Sequence, residues 1–149
     1  MDIHSLARLA GASVWVEQQL LGAAASSLSA TADADTIRAG RWCAVHGEHI
    51  RRWAARMPSI PGIDADSLVC APTGEIEVAA TALHSVSGAS SAAHRSRSAM
   101  LSLLAVQYRE ARAMVDPLVD GPTAHLLDDV IAATAALLDE VATSAAGAS

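Results

Sequence analysis

The stretch from Pro58 to Pro72 holds the strongest helix breakers in the chain and reads as an ordered crossover loop that divides everything else into two parts. Pro58, Pro61 and Pro72 each lack the amide a helix needs, and Gly62 sits among them. On either side the apolar residues recur at the three-and-four spacing of a buried helix face. Leu6, Leu9, Ser13, Val16 and Leu20, with a second row of Val14, Glu17, Leu21, Ala24 and Leu28, predict a helix over about 5–28. Ile37, Cys43, His46, Ile50, Trp53 and Met57 predict a second over 34–57, with Asp33 or Asp35 as its N-cap. Beyond the crossover, Thr73 followed by Glu75 and Glu77 reads as a capped start. Ile76, Ala80, Leu83 and Val86 then give a short helix over 74–87.

Ser87, Gly88, Ser90 and Ser91 interrupt the pattern. Met100, Leu104, Gln107, Ala111, Met114 and Leu118 mark a long helix over 92–116 that Asp116 and Pro117 end. Gly121 and Pro122 open a last helix over 121–143, proline being tolerated in a first turn where its missing amide costs nothing; the tail 144–149 is expected to fray. The expectation is one all-α domain spanning 1–149. It is an up-down four-helix bundle with a long crossover at 58–73 and a short extra helix in or after it. Alanine supplies much of the apolar content and Phe is absent, so the helices should pack closely.

A net charge of −6, with basic residues scattered among acids, lacks the footprint of a nucleic-acid partner. No apolar run reaches the length of a membrane span and the amino terminus has no basic n-region, so a cytoplasmic location is expected. Cys43 and Cys70 are too few for a disulfide framework or a zinc knuckle, and Cys43 reads as a small core residue. No nucleophile triad order, phosphate loop, zinc-protease helix or dinucleotide fingerprint occurs.

Three segments carry a family resemblance: Trp15 with Glu17, the run VHGEHIRRWAARMP from Val45 to Pro58, and YREARAMVDPLVDGPTAHLL from Tyr108 to Leu127. With the order of elements, they resemble a group of small actinobacterial ferritin-like bundles with no agreed activity. In metal-binding ferritin-like proteins, two helices each give a Glu and two each give a Glu-x-x-His pair to a dinuclear centre. The resemblance puts Glu17 at the first carboxylate and Glu110 at the second. Two departures stand against a complete centre. Arg51 is three residues after Glu48, and Ala132 to Leu138 contains no carboxylate or imidazole. Too little negative charge remains for two cations, so the dinuclear site reads as lost.

Glu17 lies within an apolar row. It is either a ligand or general acid, or a carboxylate at the stripe's edge paired with an Arg or His. His46 and His49, three apart, can both face the interior. With Glu17 they could hold one iron or zinc ion or relay protons, or they could be two core-edge imidazoles bonded to their neighbours. Gln107, Tyr108 and Trp53 are candidate lining of a polar cavity. Glu48 with Arg52 and His125 with Asp128 and Asp129 read as surface pairs, and His84 and His94 have no evident partner. Trp15 and Trp42 flank the stripes and suggest an exposed patch, hence a homodimer through the first two helices.

The functional expectation is a non-catalytic binding or assembly protein without a resident cofactor. The alternative is a small-molecule enzyme using Glu17, His46 and His49, with or without one iron or zinc ion.

Overall fold

Asp2 starts the first helix by accepting a hydrogen bond from the amide of Ser5, and α1 runs over Ile3–Ala25. The computed structural model describes residues 1–28, 33–86 and 91–147, with the backbone alone at 91 and at 144–147. Asp33 caps α2, Ala34–Arg56, through the amide of Thr36, and Pro58 follows the end of that helix. A 3-10 turn at Ala65–Leu68 lies within the crossover. Thr73 caps α3, Gly74–His84, through the amide of Ile76. The two remaining long helices are α4, Ser91–Ala113, and α5, Gly121–Gly147. Asp120 caps α5 by accepting from the amide of Thr123. The described residues form five α-helices and no strand. No helix among them is long and apolar enough to cross a membrane.

Contacts along the helices fix their directions. Glu17 meets His46 and His49, while Ala23, further along α1, meets Arg97 near the start of α4 and Glu17 meets Tyr108 near its end. Arg97 lies over Trp42 and Tyr108 stacks on Trp53, so α2 runs parallel to α4 and both run antiparallel to α1. Arg41, Arg52 and Arg56 of α2 reach Glu140, Asp129 and Asp120 in descending order, so α2 and α5 are also antiparallel. The strongest packing is within the pairs α1–α2 and α4–α5, whereas α2 and α5 pack less closely. The short α3 rests on α4 and α1.

The α1 surface explains how the crossover is held. Its buried positions include Ala7, Ala10, Gly11 and Ala12, small enough for backbone to approach closely. A Cβ built on Gly11 would stand 2.1 Å from the carbonyl oxygen of Leu68. Backbone cannot yield as a flexible side chain can, so Gly11→Ala should force the 3-10 turn off α1. It should cost about 1–3 kcal/mol, by analogy with overpacked cores, as read from urea denaturation. Wild-type stability in that variant would mean the crossover is not seated on α1.

Several sequence expectations shift. The buried face of α2 is Ala39, Trp42, His46, His49 and Trp53, with Ile37 60% exposed although its spacing placed it on the inner stripe. Trp42 is buried, its indole N–H bonded to Glu140 and its face covered by Arg97, so it belongs to no exposed patch. Met114 and Leu118 lie beyond α4, which ends at Ala113, and are 65% and 95% exposed. Glu48 is bonded by Arg51 rather than Arg52, which crosses to Asp129. Arg112 takes Asp128, leaving His125 exposed without either acid. The helix expected to stop at 143 continues to Gly147, as its alanine-rich composition favours. The linker at 29–32 and the interruption at Ser87, Gly88 and Ser90 lie outside the described residues.

Candidate metal centre

Glu17 is on the face of α1 that also buries Ala10, Val14, Leu20 and Ala24, and no part of it is exposed. Opposite, His46 and His49 are three residues apart on α2, close to one helical turn, so both imidazoles project from the same face. The carboxylate lies between them. Glu17 Oε2 is 2.6 Å from His46 Nδ1, and Glu17 Oε1 is 2.9 Å from His49 Nδ1. The two rings meet edge to face, 6.4 Å between centres.

From α4, Tyr108 donates its hydroxyl proton to Glu17 Oε1 at 2.8 Å. Trp53 in turn donates its indole N–H to the Tyr108 oxygen at 3.2 Å and stacks on the phenol ring, 5.8 Å between centres. Hydrogen-bond direction is consistent along the whole chain of groups: indole to phenol, phenol to carboxylate, and two imidazole N–H groups to the same carboxylate. A buried carboxylate with three donors has its acceptor demand met.

Electrostatics agree with that direction. Burial pushes the Glu17 carboxyl up, but the hydrogen bonds from His46 and His49 and then the charge on those rings outweigh it and hold the group at about 2. Glu17 is thus ionised in a dry interior. Burial, and next the negative charge of Glu17, push the Tyr108 phenol well above its ordinary value, so it remains a donor. Ser13, one turn before Glu17, is also fully buried. Its hydroxyl lies near enough to lower Tyr108 slightly, yet it reaches hydrogen-bond geometry with no protein group.

Two imidazole nitrogens and a carboxylate oxygen, all within 4.8 Å of one another, form a possible metal-binding group. The donor set matches the His/His/carboxylate combination used for zinc and for non-haem iron. Ligand atoms around a tetrahedral zinc stand about 3.4 Å apart. An ion would replace the two bridging protons, open each Glu–His pair by less than about 1 Å and draw together the remaining ligand atoms, which all lie within 4.8 Å of one another. Tyr108, bonded to the same Oε1 that His49 meets, is placed to orient the carboxylate.

The other sequence candidates separate from this cluster. Glu110 is exposed and stands outside it. Gln107 instead lines a cavity of about 310 Å³ between α1, α4 and the crossover, together with Arg8, Cys70 and Pro72, and its Oε1 has no hydrogen-bond partner. His84 bonds Gln19 at the surface.

Sequence reasoning missed the corner made by Trp42, His94 and Arg97. Its signal was the spacing of Arg97, Leu101, Leu104 and Tyr108 on α4, which continues an inward row back to a cation. Comparison with known protein families, curated proteins and solved structures finds no match for the chain.

Proposed function

We propose that the chain is a non-catalytic binding protein for one divalent transition-metal ion, held by Glu17, His46 Nδ1 and His49 Nδ1 between α1 and α2. The observation that carries this reading is the convergence of three ligand types on one buried point. The fully buried Ser13 hydroxyl, one turn away on α1 and beside Tyr108, adds a further polar oxygen near the cluster.

Binding is favoured over turnover because Glu17, His46 and His49 are at most 5% exposed, which leaves a substrate no direct approach. One ion is favoured over two because a second would need further acids. Glu110 is exposed, and α5 buries Val130 and Thr134 rather than carboxylates. Two antiparallel helix pairs joined by a long crossover support a ferritin-like bundle reduced to a single site.

Purified protein stripped with chelator and titrated with zinc, and anaerobically with ferrous iron, should take up one equivalent. His46→Ala and His49→Ala should abolish stoichiometric uptake. Tyr108→Phe, which keeps the three ligands and loses the orienting bond, should weaken binding about 10–100-fold. Protein that retains no zinc or iron, or the same uptake without His46 and His49, would refute the proposal.

A further inference from the structure

Among the described residues Arg97 is the only buried arginine, with 6% of its surface exposed, and it has no acidic partner there. Six other arginines, at 38, 41, 51, 52, 56 and 112, each pair with a carboxylate. The three arginines left without a carboxylate, Arg8, Arg95 and Arg109, are exposed and have water for a partner. A buried guanidinium is rarely left without a counter-charge. What Arg97 has instead is one long hydrogen bond, 3.3 Å from Nη2 to the carbonyl of Ala23, and the face of Trp42 at 4.2 Å. Those contacts occupy one N–H and one face of a group with five donors. Burial lowers its pKa to about 10, and the neighbouring Cys43 opposes that, so the charge persists at neutral pH.

The same corner holds a second buried polar side chain. His94, one turn before Arg97 on α4, is 7% exposed and makes no hydrogen bond with the described residues. Both side chains line a half-open cavity of about 30 Å³. Arg38 and Asp35, bonded to each other, and Trp42 and Ser27 complete its wall. Room on this scale admits the oxygens of one small group, since a single water needs about 10–15 Å³ on the same measure. Counting Arg38 and Arg97 against Asp35, the wall is net positive in a chain that is net negative.

We propose that this corner between the end of α1 and the starts of α2 and α4 binds a small oxyanion, the phosphoryl or carboxylate end of a ligand. The Arg97 guanidinium fork would take it, with His94 and Arg38 beside the fork. A planar fork held flat on an indole is suited to accept two oxygens at once. The site is independent of the Glu17 cluster, because none of the three metal-ligating side chains lines this cavity.

Calorimetric titration of the intact protein with inorganic phosphate, and separately with acetate, tests this. Chelator should be present so that no anion is held through a metal. At least one of the two should bind at one site, and which of them binds tighter assigns the phosphoryl or the carboxylate source. Arg97→Leu should weaken binding by about tenfold or more, and Arg97→Lys, which keeps charge but not the fork, by less. Arg38→Gln keeps the Arg97–Trp42 contact and serves if the Arg97 variants do not fold; it should weaken binding several-fold. No heat from either anion at 10 mM, on the order of a weak single-site affinity, would overturn the proposal. So would unchanged binding in folded Arg97→Leu, or in Arg38→Gln should the Arg97 variants not fold.

Discussion

Glu17→Ala should abolish the proposed metal uptake and destabilise the metal-free protein by about 3–5 kcal/mol, the range found when one member of a buried ionic pair is removed. The reason lies in the groups left behind. His46, His49 and Tyr108 each direct a proton at Glu17, and each is buried where water cannot replace the lost acceptor. For a domain of this size the fall in Tm should be on the order of 10 °C. Glu17→Gln separates the two effects. It keeps the shape and one accepting oxygen, and either imidazole can move its proton to Nε2 and accept from the amide, so most stability should return while metal binding does not. Urea denaturation of the metal-free proteins and zinc titration read both quantities. Wild-type stability in Glu17→Ala would contradict the geometry of the cluster.

Trp53→Ala is the second large effect, again about 3–5 kcal/mol, because it removes the largest fully buried side chain. Its consequences extend to the centre. Tyr108 loses both a stacked neighbour and the indole donor that fixes its oxygen. Metal affinity should therefore fall as well, although Trp53 touches no ligand atom. Trp53→Phe refills much of the space without the N–H, and about 1–2 kcal/mol of loss is expected from the missing hydrogen bond and the smaller ring. Parallel denaturation curves for the three proteins decide it. A loss below 1 kcal/mol in Trp53→Ala would mean that neighbouring side chains collapse into the space.

Helix caps and breaks were legible in the sequence because their causes are local. Asp33 and Thr73 cap helices through amides three residues away, and Pro58 acts on its own turn. The rotation of α2 about its axis was legible only in part. Periodicity put Ile37, Cys43, His46, Ile50, Trp53 and Met57 on the inner stripe, and His46 and Trp53 are buried, but Ala39 and Trp42 take the place of the exposed Ile37. Trp42 turns inward to the Glu140 carboxylate and the Arg97 guanidinium on other helices, which the spacing within α2 does not show. Glu17 posed the same difficulty. Its row showed that it was buried, but its partners come from residues 29, 32 and 91 positions away. The Gly11 contact with Leu68 was equally hidden, since a missing side chain leaves no mark on a hydrophobic pattern.

The charged seam between α2 and α5 differs in kind from the packing inside the helix pairs. Arg41, Arg52 and Arg56 reach across it to carboxylates that remain partly open to solvent. Attraction of that sort fades as dissolved ions accumulate, whereas aliphatic packing inside α1–α2 and α4–α5 does not. Concentrated electrolyte therefore weakens this seam first, while the apolar core shared by both pairs and the run of contacts from Trp53 through Tyr108 to Glu17 go on holding them together.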